Sequence, residues 1–302
     1  MTLEERVAAT TGEREQSHQP IVVAVDGSIR NRSAVTWAAT EAASAGCEVL
    51  LVTAVAGHPI PIPHFSSRSE QQSALDMLAD VRNDVRHLVS EQVVGTDVGV
   101  GSPVDVLLDR SATARMVVVG KRGLGGFARA LVGSTSIALA GRAEVPVTIV
   151  PDKWRQAEHR KAPVVLGIDP YRPDTHPIRL AFRRAERLGV PLVAVHGWET
   201  PTVYSMDAGA VAGATSQLET EAHVEFDRVL DTWRKRFPDV EVEVVHSHSH
   251  PAMAVLDAAE DAQLIVLGRH TDGRLGGFAF GSVTRAVLHY SECPVMVVPS
   301  ED

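Results

Sequence analysis

The stretch Gly120-Lys-Arg-Gly123-Leu-Gly-Gly-Phe-Ala-Arg-Ala-Leu-Val-Gly133-Ser134-Thr-Ser136 has the residue types of an anion cradle. Glycines let backbone N–H groups come close to an anion, and a helix N-terminus adds unpaired donors and the positive end of a dipole. The hydroxyl of Ser134 and the cation Arg122 stand where phosphate oxygens would be held. The spacing Gly-x2-Gly-x9-Gly-Ser is neither the Walker P-loop nor the GxGxxG dinucleotide fingerprint. Asp26, after an earlier apolar run, adds a carboxylate that accepts hydrogen bonds from ligand hydroxyls or amines. Each feature alone has an ordinary explanation, a turn or cap for the aspartate and a plain loop for the glycines. Together they describe a nucleotide site.

Those residues need elements to hold them. Residues 21–26 and 116–119 are short continuous apolar runs, as in strands buried on both faces. Gly27-Ser28 turns the chain into a helix over 31–45, whose Ala34, Ala38, Ala42 and Ala45 form a small-residue stripe. A strand over 49–55 follows, then a loop with three prolines over 57–67. A helix carries Leu75, Leu78, Val81, Val85 and Leu88 at helical spacing, and a strand covers 93–100. Ser102-Pro103 has the pattern of a helix start, Ser as cap and Pro at the first position. After the strand at 116–119 and the glycine loop come a helix over 137–143 and a strand over 145–150. Strands alternating with helices predict an open five-stranded parallel sheet with helices on both faces. Ligands of such sheets sit beyond the strand ends where the strand order reverses, so the strands ending at Asp26 and Gly120 should be neighbours.

The second half repeats this order. Pro103 and Pro251, Gly133 and Gly281, and Pro146 and Pro294 all differ by 148, while Asp26 and Asp169 differ by 143. Constant offsets indicate duplication of a unit of ~140 residues. The expected organisation is a polar arm over 1–18, an α/β Rossmann-like domain over 19–151, a linker over 152–162 and a second such domain over 163–302. Within the second, residues 197–215 read as a loop before a helix carrying Leu218, Ala222, Phe226, Val229, Trp233 and Phe237.

A chain of 302 residues with 44% hydrophobic and 22% charged content can bury ordinary cores. Its net charge of −9 argues against a broad surface for duplex nucleic acid, which needs Lys and Arg on phosphates. Cys47 and Cys293 fall in different halves and read as reduced core thiols. Residues 1–19 lack the apolar segment of a secretory signal, and no run reaches the ~18 apolar residues of a membrane span, so the cytoplasm is the expected setting. His246, His248 and His250 alternate, which on a strand places them on one face. They read as a solvated strand end ahead of the helix at Pro251, with a metal site as the minor alternative. Arg183-Arg184 and Arg234-Lys235-Arg236 read as solvated helix faces. No Ser-His-Asp array, HExxH or CxxC recommends catalysis.

The chain resembles a tandem universal stress protein over about residues 19–299. The resemblance rests on Val25-Asp26-Gly27-Ser28, on Gly120-x2-Gly123-x9-Gly133-Ser134 and on Val145-Pro146-Val147. It implies adenine nucleotide alpha hydrolase-like domains that bind ATP, with Mg2+ as an optional companion. Asp26 and Ser28 would lie toward the ribose or adenine and the backbone at Ala54 against the base. Gly120 and Gly123 would lie beside ribose and phosphates, with Gly133, Ser134, Ser136 and Arg122 on the phosphates. In the second half Asp169, Gly197, Gly268, Gly281, Ser282 and Thr284 are the counterparts. That half departs from the pattern: Pro170-Tyr171 replaces Gly-Ser, Thr271 replaces the second glycine, and Leu275 lies seven residues after Gly268 where Leu124 lies four after Gly120. Threonine does not readily take positive φ, so the first half is expected to be the better ATP site. The implied role is a cytoplasmic nucleotide-dependent stress sensor or regulator. Its implied associations are a homodimer and an unidentified regulatory protein partner, with neither nucleic acid nor membrane. Slow ATP hydrolysis or adenylate transfer at the same site is the alternative.

Overall fold

The computed structural model describes residues 19–56, 67–89, 94–123, 131–199, 208–269 and 280–300. The expectations made for the arm over 1–18, most of the proline loop, Leu124, Thr271 and Leu275 lie outside the described residues. The chain divides into two compact units, Met1–Gln156 and Ala157–Asp302.

In unit 1 the elements are β1 (Ile21–Ala24), α1 (Arg32–Ala45), β2 (Val49–Val55), α2 (Ser67–Val85) and β3 (Val94–Val100). They continue with α3 (Pro103–Ser111), β4 (Met116–Gly120), α4 (Ser134–Arg142) and β5 (Val147–Val150). All four strand pairs are parallel and give the order β3-β2-β1-β4-β5. Crossovers between parallel strands are right-handed. The chain runs outward through α1 and α2 and returns through α3 and α4, so the two pairs cover opposite faces. Ile21, Val22, Val23, Val117 and Val118 are fully enclosed between those layers. The alanine stripe does what small residues permit, since Ala34, Ala38 and Ala42 are buried and bring α1 close to the sheet around the enclosed Trp37. Gly46 ends α1 in the left-handed conformation, at φ 65°. On α2, Leu78 and Val85 are buried, but Leu75 is 44% exposed and Leu88 lies beyond the helix end. Ser102 does precede α3, with Pro103 at the first turn, yet its hydroxyl makes no capping bond.

Unit 2 has β6 (Val164–Gly167), α5 (Thr175–Leu188), β7 (Leu192–Gly197), α6 (Ala208–Arg236) and β8 (Val242–Ser247). Then come α7 (Pro251–Ala258), β9 (Leu264–Gly268), α8 (Ser282–Tyr290) and β10 (Val295–Val298). Parallel pairing gives β8-β7-β6-β9-β10, the same order as in unit 1. The step in the repeat offset is now placed. Val49 and Leu192 both pair with the first residue of their central strand, and they differ by 143. Val94 and Val242 pair with those two and differ by 148. The five extra residues therefore belong to the crossover that contains α6, which is 29 residues long against 19 for α2.

Two expectations are corrected here. The helix read from Leu218 begins at Ala208, because Gly209 and Gly213 lower helix propensity without ending a helix. Arg184 is not solvated; it is 5% exposed, and its Nη2 lies 3.5 Å from the Oε1 of the enclosed Gln263. Its neighbour across the core, Cys293, is a free buried thiol whose pKa is pushed above the ordinary range by burial. Arg236 stands over the rings of Trp233 and Phe237 at 5.8 and 5.9 Å, and Phe182 meets both rings from α5. Among the described residues no helix is long and apolar enough to cross a membrane.

Candidate functional site

β1 pairs directly with β4, Ile21 opposite Met116, so the strand order reverses between the segments that carry Asp26 and Gly120. Beyond their carboxyl ends opens a cavity of ≈ 430 Å³. Asp26, Ala54, Gly120, Arg122, Gly123, Gly133, Ser134 and Ser136 all line it. Ser28 does not. It faces a separate recess between α1 and α2, and its N–H donates to Asp26 Oδ1 at 2.9 Å.

That bond fixes one carboxylate oxygen of Asp26, and the other meets the glycine loop. A Cβ on Gly123 would lie 2.7 Å from Asp26 Oδ2. Gly123 is not in the left-handed region, so the position demands glycine for space rather than for positive φ. Lys121 N donates to Val150 O at 2.7 Å, and Gly133 N to Lys121 O at 2.8 Å, which closes the loop on itself. Gly133 then caps α4 in extended conformation with no side-chain cap, leaving the first N–H groups of the helix facing the cavity. Ser136 is buried and donates from Oγ to Gly120 O at 2.8 Å, so its role here is to tie the helix to the strand end. Arg122 Nε lies 3.1 Å from Asp152 Oδ2, an ion pair that holds the guanidinium at the cavity edge.

Unit 2 builds the same arrangement. Asp169, Gly197, Gly268, Gly281, Ser282 and Thr284 line a cavity of ≈ 340 Å³. Asp169 Oδ1 accepts from Tyr171 N at 3.0 Å, Thr284 Oγ1 donates to Gly268 O at 3.3 Å, and Gly281 caps α8. Among the described residues, polar or charged lining residues that escaped the sequence reading include five: Asn31 and Thr53 in unit 1, and Arg172, Asp174 and His196 in unit 2. The repeat carried the signal for four of them. Asn31 and Asp174, and Thr53 and His196, each differ by 143, so they are equivalent positions with changed chemistry.

The alternating histidines do not share a face, because β8 ends at Ser247. His246 lies against His223 of α6, with ring centroids 3.8 Å apart, and against Phe226 at 4.9 Å. His248 stacks on Trp198 at 4.2 Å, and His250 caps α7 by accepting from Ala252 N at 3.2 Å. Among the described residues no group of three His, Cys, Asp or Glu could hold a metal ion.

His196 joins that aromatic group, 5.9 Å from Phe226 and 6.2 Å from His246. Burial pulls its pKa below the ordinary histidine value, against the opposing pull of the Ile168 backbone and Asp169. The unfolded chain takes up a proton as pH falls through ~6.5, whereas the folded unit resists it until lower pH. The folded unit therefore binds fewer protons in that window and loses stability as pH falls from about 7. Thermal melting across pH 5 to 8 should show this slope, and His196→Thr, the residue of unit 1, should flatten it. Parallel pH profiles for the two proteins would contradict the assignment.

The sequence profile of the universal stress protein family matches residues 18–151 and 162–299. A universal stress protein of Mycobacterium tuberculosis is 33% identical over 286 residues, covering 92% of this chain and 96% of its own length. A second from the same organism is 34% identical over 306 residues, covering 94% and 96%. A crystal structure of a universal stress protein from Archaeoglobus fulgidus shares the fold at a TM-score of 0.67 and 19% identity, covering 95% of this chain and 98% of its own.

Proposed function

This chain belongs to the universal stress protein family in both of its halves, and from that premise we propose that it binds adenine nucleotide, ATP foremost, in the unit 1 cavity and acts as a nucleotide-responsive regulator. One observation carries the reading. Asp26, the close-approach glycine Gly123 and the N-terminus of α4, which has no side-chain cap, converge on a single cavity at the point where the strand order reverses. The carboxylate of Asp26 suits ribose hydroxyls or an adenine amine. The N–H groups at the start of α4 suit phosphates, with Mg2+ as the counter-ion that ATP brings. In unit 2 the same ligand class would meet Asp169, Gly197, Gly268, Gly281, Ser282 and Thr284.

Regulation would follow from differential binding, since a ligand shifts a conformational equilibrium only by its preference between states. The associations the family resemblance implies, a homodimer and a protein partner in the cytoplasm, belong to the same proposal. Native purification followed by mass identification of retained nucleotide, with calorimetric titration, tests the first step. Asp26→Ala should weaken ATP binding about tenfold to a hundredfold, the cost of lost charge-assisted hydrogen bonds. Wild-type protein that neither retains nor binds adenine nucleotide contradicts the reading. Steady-state phosphate release from the ATP-loaded protein separates a regulator from a slow ATPase.

A further inference from the structure

One equivalent position of the two cavities changes from neutral to acidic. In unit 1, Asn31 is buried at the foot of the glycine loop, and its Nδ2 donates to Ala24 O at 2.9 Å. That amide lies 3.6 Å from where a Cβ on Gly120 would stand. The equivalent residue in unit 2 is Asp174, which lines the second cavity. A carboxylate has no donor for the strand carbonyl, so Asp174 takes a different task. Its Oδ1 accepts from His176 N at 3.1 Å and caps α5. Its Oδ2 is buried without a hydrogen-bond partner.

The charge balance of the cavities follows. Among the described lining residues, the first has one carboxylate, Asp26, and one guanidinium, Arg122. The second has two carboxylates, Asp169 and Asp174, and one guanidinium, Arg172. Among the described residues the strand end and the helix start of the phosphate end match: Gly268 and Gly281 stand for Gly120 and Gly133, and Thr284 bonds the strand carbonyl as Ser136 does. An added carboxylate beside that end repels phosphate charge.

We propose that Asp174 is a specificity residue which makes the second cavity select an adenine nucleoside or nucleoside monophosphate over the triphosphate. This rests on the nucleotide reading above and deepens it: one chain would sense both charge states of the adenylate pool.

The test uses the full chain with the first cavity silenced by Gly123→Val, whose branched side chain meets Asp26, titrated calorimetrically with adenosine, AMP and ATP in Mg2+-free buffer. AMP or adenosine should bind the second cavity about tenfold more tightly than ATP, a difference of about 1.4 kcal/mol. Asp174→Asn should narrow that ratio to about twofold by raising ATP affinity, while keeping the helix cap, since Asn caps as well as Asp. Asp174→Ser, also a competent cap, gives the same readout should the Asn variant fold poorly. Equal or tighter ATP binding before the Asp174 change overturns the proposal, as does a ratio that Asp174→Asn leaves in place. Failure of the wild-type chain to bind any of the three ligands overturns the nucleotide reading as well, which sets that outcome apart.

Discussion

Gly123→Ala should weaken ATP binding at the unit 1 cavity by about one to two orders of magnitude, the cost of roughly 1.4–2.8 kcal/mol. The added methyl would stand 2.7 Å from Asp26 Oδ2 and 3.8 Å from its Cγ, well inside contact distance for the oxygen. A carboxylate on a free side chain would swing aside. Here the other oxygen accepts from Ser28 N, so rotation breaks that bond and leaves a backbone donor unpaired. The loop cannot retreat easily either, because Gly133 N and Lys121 N anchor its ends. The methyl and the carboxylate thus compete for one place, and the ligand loses the geometry of both. This makes a sharper prediction than the affinity loss. Asp26→Ala removes the obstacle, so Gly123→Ala added to it should cost little more, and the double-mutant cycle should show coupling of about 1 kcal/mol or more. Calorimetric titration of the four proteins measures it. Additive losses would mean that Gly123 acts on the ligand without acting through Asp26.

The cycle also shows which parts of the site the sequence could reveal. Glycine at position 123 was visible, but its reason was not. Spacing suggested a torsional need, whereas the constraint is a carboxylate 97 positions earlier in the chain. The strand reversal was legible because apolar runs such as Ile21–Ala24 and Met116–Gly120 are local, and connection rules order them. Arg184 was not legible, since its partner Gln263 is 79 residues away and only the folded core joins them. The histidines misled because period-two reasoning holds only within a strand, and β8 ends before His248. Asp174 is the intermediate case. The repeat offset aligns it with Asn31, so comparing the halves position by position exposes the change, but only the structure shows that it lines the second cavity.

Gly197→Ala should destabilise unit 2 by about 2–3 kcal/mol, the upper range for overpacking a filled contact, and lower its melting midpoint by roughly 5–10 °C. A Cβ at this strand end would lie 2.6 Å from Pro251 Cα, 3.3 Å from Pro251 N and 2.9 Å from Ala254 Cβ. None of these is the tip of a flexible side chain. Pro251 starts α7 with its φ fixed by the ring, so relief requires the helix to move as a body. Ala254 is 3% exposed and faces the same contact, so the methyl would press on a buried packing contact. The equivalent residue of unit 1 is Ala54, which shows that the strand end tolerates a methyl when the helix above it sits differently. The demand for glycine therefore comes from how α7 seats on β7 and not from ligand chemistry. Ala254→Gly in the Gly197→Ala background should recover less than half of the loss, because the backbone contact at Pro251 remains. Adenylate binding at the second cavity should fall along with stability, since Gly197, Pro251 and Val255 all line it, while the unit 1 cavity keeps its affinity. Scanning calorimetry of the full chain, with titration of each cavity, gives both readouts. A midpoint within about 1 °C of the parent protein would show that α7 yields freely, and the close approach would lose its meaning.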